Sequence, residues 1–390
     1  MRVLINAASA HMGGSVTYLR NVLRWAPQLA PDDEFIAYVP AKTRAKLAGA
    51  GVDPRVTLEP YPYADTSGPS RLYFDQVRIP RLLGEHRADV LFSSTGFGTF
   101  FSPRPQVLLI RNLAYFDPAF QAKYRELGRS LKKNTARRWH SLLSIRQADL
   151  VLFPTRAMQA LVAHYIDLEG KWTESIHYGF DHAAFTQAGS ETAALAGDLC
   201  RWKADGYRLL LNVSTFAVQK NVETLVEALP HLKAQGVRAK LVTTLSRDVT
   251  TDRAEYDALM RRVEALGLRE DVVTLGYVPY RQLGALYQAA DLYVFPSFTE
   301  SFGHSMVEAM AAGLPVVAAD TAVNREVCGT AGRFFRTFDP LDCARTLASV
   351  LQDGAARARQ AERAAARARH FSWERYAEQL IALFREAARA

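Results

Sequence analysis

The sequence predicts two doubly wound α/β domains of the Rossmann type in one chain. Three observations carry the prediction. The chain opens on a strand, a glycine-containing loop and a helix. Apolar runs short enough for buried strands then alternate with helical patterns. After a stretch without strand character, the same alternation starts again. Two such domains joined by a linker are expected to leave a cleft, a preferred place for ligands.

In chain order, Arg2-Val-Leu-Ile-Asn6 reads as the first strand, Ala7 to Gly14 as a loop, and about Ser15 to Trp25 as a helix. A helix start behind Gly13-Gly14 is a natural anion site. The pair lacks the full G-x-G-x-x-G pattern, and a tight strand-to-helix turn explains it equally well. Further strands are read at Glu34–Val39, Val56–Leu58, Asp89–Phe92, Gln106–Ile110 and Ala148–Phe153. Residues 65–70, DTSGPS, read as a mobile surface loop. The first domain is expected over 1–185. Residues 186–205 are expected to be a linker with room for one short helix.

The second domain is expected over 206–371. It begins with the strand Arg208–Val213, a loop from Ser214 to Gln219 and a helix starting at Lys220. Strands follow at Lys240–Leu245 and Val272–Leu275. Pro296–Asp320 (PSFTESFGHSMVEAMAAGLPVVAAD) then forms the middle of a strand–loop–helix–strand unit. The apolar run Asp291–Pro296 precedes it. A helix is read over Ser305–Ala312, stopped by Gly313 and Pro315, and the strand Pro315–Ala319 closes the unit. Two acids stand eight apart, Glu300 in the loop and Glu308 in the helix. Loops at the carboxyl ends of parallel strands are where such folds bind ligands. An amphipathic helix over 372–390 ends the chain.

Composition narrows the function classes. Of 390 residues, 49% are hydrophobic and 23% charged, as in an ordinary globular protein, and the net charge is +8. Cys200, Cys328 and Cys343 have no metal-ligand spacing. Met1 leads directly into a strand and no apolar run has the length of a membrane span, so a cytoplasmic location is expected.

These residues resemble retaining GT-B glycosyltransferases, specifically glycosyltransferase family 4. Pro296–Asp320 is similar to the family's E-x7-E signature. Ser214–Asn221 (STFAVQKN) resembles its phosphate loop, and Leu275-Gly-Tyr-Val-Pro279 its base-binding turn. His177-Tyr-Gly-Phe-Asp181 resembles the segment before the linker. The terminal Phe-Ser-Trp-Glu helix resembles the one that crosses back to the first domain. The resemblance is strong over the second domain and loose over the first.

The resemblance implies a nucleotide-sugar donor on the second domain and an acceptor on the first, with domain closure during the cycle. Negative charge grows on the leaving diphosphate, which needs cations and N–H donors. Carboxylates suit the hydroxyls of sugar and ribose, because an ionised carboxylate only accepts hydrogen bonds. Glu308 is accordingly expected on the ribose, against the alternative of a solvated helix acid. Glu300 is expected on the donor sugar, against that of a helix-capping acid. Phe302, Gly303 and His304 would supply backbone N–H groups, Tyr277 and Val278 the base-binding turn, and Gly14 an anion-binding helix start. Lys220 is the expected diphosphate cation. The family usually has Arg five residues before this Lys, where Thr215 stands, so Arg247 and Arg325 are candidate substitutes. Many relatives carry a His after the strand matching Gln106–Ile110. Here the residue is Arg111, a candidate for phosphate or an acidic sugar. His11 and His140 are read as structural. A leaving phosphate oxygen is thought to take the acceptor proton in this family, so a missing His does not exclude activity. No Asp-x-Asp occurs. No cofactor and no metal are expected.

Arg104–Arg146 holds ten Lys/Arg against two acids, a local excess equal to the net charge of the whole chain. Tyr124, Leu127, Leu131, Trp139, Leu142 and Leu143 fall at helical spacing. This describes either a helix packed on the sheet with basic solvent contacts or a basic amphipathic helix on anionic membrane. Peripheral membrane contact and a glycan or lipid-linked acceptor of the cell envelope are the expected partners. Nucleic acid is not expected. The alternatives are a nucleotide-sugar epimerase of the same architecture and a non-catalytic nucleotide-sugar-binding protein. The departures at Thr215 and Arg111 motivate the second.

Overall fold

The computed structural model describes residues 1–11, 14–49, 51–63, 68–181, 193–250 and 252–389. The chain divides into two compact units, Met1–Gly179 with Ser372–Ala390, and Phe180–Phe371.

In the first unit β1 (Arg2–Asn6), β2 (Glu34–Val39), β3 (Thr57–Pro60), β4 (Val90–Ser93), β5 (Gln106–Leu109), β6 (Leu150–Phe153) and β7 (Trp172–Ser175) form one parallel sheet, in the order β3-β2-β1-β4-β5-β6-β7. Val3 stands opposite both Phe35 and Val90, so β1 is central. Order reverses between β1 and β4, the kind of switch point where such sheets open a crevice at their carboxyl ends. Both faces of the sheet are covered, which is why β1 and β4 read as continuous apolar runs. Leu4, Ile36, Phe74, Leu83 and Leu91 make one core cluster.

In the second unit β8 (Arg208–Asn212), β9 (Ala239–Thr243), β10 (Val272–Thr274), β11 (Leu292–Phe295), β12 (Val316–Ala319) and β13 (Gly332–Phe335) form a second parallel sheet, in the order β10-β9-β8-β11-β12-β13. Its switch point lies between β8 and β11. Leu210, Val226, Leu241, Val294, Val317 and Leu347 are buried together in its core. Full burial of each such side chain contributes about 1.5–3 kcal/mol.

The predicted class is the observed one, two doubly wound parallel α/β sheets. Most strands lie within one or two residues of their expected bounds. Two were not legible. β7 and β13 are edge strands of four residues in which only Phe335 is buried, so they lack the apolar run of a central strand. β3 ends in Pro60, which an edge strand tolerates because no N–H is needed on its open side. Helix Gly14–Leu29 is longer than the expected 15–25 and accommodates Pro27. Gly68–Ser70, expected in a loop, open the helix Gly68–Tyr73. Gly13 and residues 65–67 lie outside the described residues.

The first unit ends at Gly179. Residues 182–185, where that end was expected, and 186–192 of the expected linker lie outside the described residues. Helix Ala193–Ala204 belongs to the second unit. The terminal helix Trp373–Ala387 belongs to the first, capped by Ser372, which accepts from the Arg375 N–H. It docks through an aromatic cluster of Tyr18, Tyr178, Trp373 and Tyr376. The Tyr18 and Tyr376 hydroxyls lie 2.7 Å apart, and the Tyr178 and Trp373 rings stack at 6.0 Å. Gly179 is required here, since a Cβ on it would stand 2.0 Å from the Trp373 nitrogen.

Candidate active site

Two loops leave the carboxyl ends of β8 and β11, the switch point of the second sheet. After β8 the chain runs through Ser214–Ala217 into a 3-10 turn, Val218–Lys220. Lys220 therefore sits on this turn and not on the helix, which begins two residues later as Val222–Ala234. Asn221 between them is left-handed (φ 49°), a conformation Asn tolerates better than most residues. Its amide donates to the Pro296 carbonyl at 3.3 Å, and the Phe298 N–H donates to the Gln219 carbonyl at 3.1 Å. Below them the Asn212 amide donates to the Val294 carbonyl at 2.9 Å. These bonds stitch the two loops together and fix where Lys220 points. Its Nζ donates to Glu300 Oε1, and the two side chains are 21% and 17% exposed. The Lys220 ammonium also lies 5.8 Å from the Phe295 ring centre.

Past Glu300, Phe302 is buried and Gly303 caps the helix His304–Ala311 in a left-handed conformation, φ 85°. A Cβ on Gly303 would meet Met306 at 2.5 Å and Phe295 at 3.3 Å, so both backbone angle and packing call for glycine. Glu308 on this helix is buried, and the Tyr287 hydroxyl donates to its Oε2 at 2.8 Å. Burial pushes the Glu308 carboxyl up to about 7, with the Tyr287 hydrogen bond acting in the opposite direction. The Tyr293 hydroxyl is raised chiefly by burial, and the charges of Glu308 and Glu300 both add to the shift. Tyr293 thus lies within electrostatic reach of both acids.

Thr215 is exposed in the loop after β8. Tyr277 is 74% exposed and Val278 half-buried in the turn after β10. Arg247 and Arg325, the candidate substitutes for the missing cation, are committed elsewhere. Arg247 makes a two-pronged pair with Asp257 (2.8 and 3.0 Å), and Arg325 does the same with Asp320. Such bidentate pairs hold the guanidinium in place. Lys220, Glu300, Phe302, Gly303, His304 and Glu308 are therefore gathered on two stitched loops and one helix.

Gly14 and Arg111 belong to the first unit, and the structure brings them together. Arg111 Nη2 donates to the Gly14 carbonyl at 3.0 Å, and its guanidinium lies 4.6 Å from the Tyr18 ring centre and 5.8 Å from that of Tyr178. Arg111 ties the loop after β5 to the first turn of helix Gly14–Leu29. His140 is a packing residue, stacked 4.7 Å from Phe97, and burial lowers its pKa.

Sequence reasoning missed the polar cluster at the first switch point. Arg71 and Asp75 form a buried ion pair at 2.6 Å. Arg71 also donates to Thr95 at 3.0 Å, and Asn6 donates to Asp75 at 2.7 Å. The available signal was an Arg–Asp pair four apart, a helical ion-pair spacing. Tyr287 was missed too, since nothing local marks it as the partner of Glu308. Among the described residues, no group of three or more His, Cys, Asp and Glu is arranged to hold a metal ion.

Residues 202–367 match the model of the family described as glycosyl transferases group 1. A D-inositol 3-phosphate glycosyltransferase of Salinispora tropica is 41% identical over 134 residues, 33% of this chain and 27% of that protein. The O-antigen chain mannosyltransferase B of Escherichia coli is 36% identical over 181 residues, 45% of each chain. This chain thus spans less than half the length of either relative. Its backbone is similar to that of HepE of Anabaena solved in complex with UDP and glucose. The TM-score is 0.73 at 21% identity, covering 99% of this chain and 100% of that one. The fold is GT-B.

Proposed function

We propose that the protein, whose residues 202–367 match the group 1 glycosyl transferases, is a retaining glycosyltransferase of family 4. It moves a sugar from a nucleotide diphosphate sugar, with UDP or GDP as the carrier, to an acceptor hydroxyl. The observation that carries this reading is the Lys220–Glu300 pair at the second switch point, one turn ahead of the helix that buries Glu308.

The chemistry follows from the charges. A diphosphate attracts the Lys220 ammonium, and sugar hydroxyls attract the Glu300 carboxylate. A single donor molecule can therefore replace each partner of the pair with a better one. Glu308 takes the ribose hydroxyls, whose hydrogen bonds favour its ionised form. The N–H groups of Phe302, Gly303 and His304, at a helix start, face the growing negative charge. In the transfer step the bond from the anomeric carbon to the diphosphate oxygen breaks. The acceptor oxygen bonds to that carbon, and its proton passes to the leaving phosphate oxygen. Lys220 and backbone donors neutralise the diphosphate without a metal. The acceptor, a glycan or lipid-linked saccharide of the cell envelope, is taken by the first unit, where Arg71 and Thr95 line the carboxyl ends of the central strands. Relatives named for inositol phosphate and O-antigen support a polyol or saccharide acceptor.

A thermal-shift screen of the full chain against UDP-, GDP- and dTDP-sugars tests the donor half. One nucleotide class should raise the melting temperature, since ligand at a hundred times Kd adds about 2.7 kcal/mol. That donor should also be slowly hydrolysed, with release of free sugar. Stabilisation by no nucleotide sugar, or unchanged turnover in Glu300→Ala, would sink the proposal.

A further inference from the structure

The basic segment of the first unit is two helices, Pro118–Glu126 and Lys132–Gln147, broken at residues 127–131. The apolar stripe read from the sequence splits between two faces of the second. Leu142 and Ile145 point inward and are buried. Trp139 and Leu143 point outward, 61% and 44% exposed. They are four residues apart and share one face. Lys132, Lys133, Arg137 and Arg146 on the same helix are exposed, and the helix contains no acid. A loop packed on it adds a further anchor. The Gly98 N–H donates to Ser144 Oγ at 3.0 Å, Phe100 packs against His140, and Phe101, next in the chain, is 84% exposed.

We infer that this face seats the first unit on an anionic bilayer. An exposed tryptophan is costly in water and favoured in the headgroup region, where its ring is apolar and its N–H can stay hydrated. Lysines and arginines around it meet anionic headgroups, and no carboxylate on the helix opposes them. The helix is also placed to be useful there. It crosses from the carboxyl end of β5 to the start of the parallel β6, so its Lys132 end lies at the carboxyl edge of the sheet, the edge that carries ligand loops. The inference stands independently of the glycosyl-transfer reading.

Flotation of the full chain with phosphatidylcholine vesicles, with and without 30% phosphatidylglycerol, tests it. Binding is expected only to the anionic vesicles and should weaken steeply between 0.1 and 0.5 M salt. Lys133→Glu and Arg137→Glu should each weaken it about fivefold or more. Trp139→Ser with Leu143→Ser should weaken it at least tenfold, while the melting temperature and far-ultraviolet circular dichroism stay unchanged. Equal binding to neutral vesicles, or anionic binding unaltered in all these variants, would overturn the inference. So would a solution dimer that Trp139→Ser dissociates, because the face would then belong to a second copy of the chain.

Discussion

Lys220 donates a hydrogen bond to Glu300 across 80 residues of sequence, and two backbone-directed bonds, from Asn221 to Pro296 and from Phe298 to Gln219, hold the loops that carry them. The pair is partly shielded from water, and each member is the group the proposed donor would claim. Lys220→Ala is expected to lower kcat/KM by 10²–10³, the usual effect of deleting one donor aimed at developing negative charge. Nucleotide diphosphate binding, measured by calorimetry, should weaken in the same variant. Equal losses for nucleoside monophosphate and diphosphate would show that Lys220 does not contact the second phosphate.

Glu308 makes stability depend on pH. Its carboxyl is raised from the ordinary 4.5 to about 7 in the folded protein, so folding favours the protonated form. Below pH 4.5 both folded and unfolded chains hold the proton and the residue is neutral in the balance. Between 4.5 and 7 the unfolded chain gives up its proton first and stability falls, reaching a penalty of about 3 kcal/mol above pH 7. Glu308→Gln keeps an acceptor for Tyr287 and removes the titration. Urea denaturation should find the variant more stable than the wild type at pH 8 and equal to it near pH 4. The same variant should bind nucleotide more weakly. Nucleotide binding to the wild type near pH 7 should release protons, which calorimetry in buffers of different ionisation enthalpy reads directly.

Arg111 is held by Gly14 and the Tyr18 ring, so its first role is to brace the start of helix Gly14–Leu29. Arg111→Ala should lower the melting temperature, with about 1–2 kcal/mol lost from a hydrogen bond and a cation–π contact. Arg111→Lys should recover part of this. An Arg111→Ala protein with full thermal stability and impaired turnover would return the residue to substrate contact alone.

Gly179 is where the terminal helix closes onto the first unit. Gly179→Ala places a methyl group against the backbone of Ser372 and Trp373, with no flexible side chain to move aside. Destabilisation of about 3 kcal/mol, the upper end of an overpacking penalty, is expected in urea titrations. The Tyr18–Tyr376 contact should loosen with it, seen as a change in near-ultraviolet circular dichroism.

Much of this protein is local in origin and therefore legible in the chain. Central strands carry unbroken apolar runs, Val3–Ile5 in β1 and Leu292–Phe295 in β11, because both faces of a parallel sheet are covered. The glycine at 303 and the acids at 300 and 308 sit in one continuous strand–loop–helix–strand run. Edge strands β7 and β13 escaped because, Phe335 apart, their residues are not buried and form no apolar run. Lys220 was readable as a cation at the loop–helix junction, but the sequence alone reads it as the first helical residue, and the 3-10 turn that carries it, stitched through Asn221 to Pro296, was not legible. Only the tertiary structure decided which charges stand together. It gave Arg247 to Asp257, Arg325 to Asp320 and Arg111 to Gly14, and it paired Arg71 with Asp75 at a switch point where no local motif marks them. It also split the stripe of the basic helix, burying Leu142 and leaving Trp139 and Leu143 outside. The physical reason is one of range. Burial period and turn chemistry are properties of a few adjacent residues, whereas the partner of a charge is chosen by whatever the fold brings within a few ångströms of it.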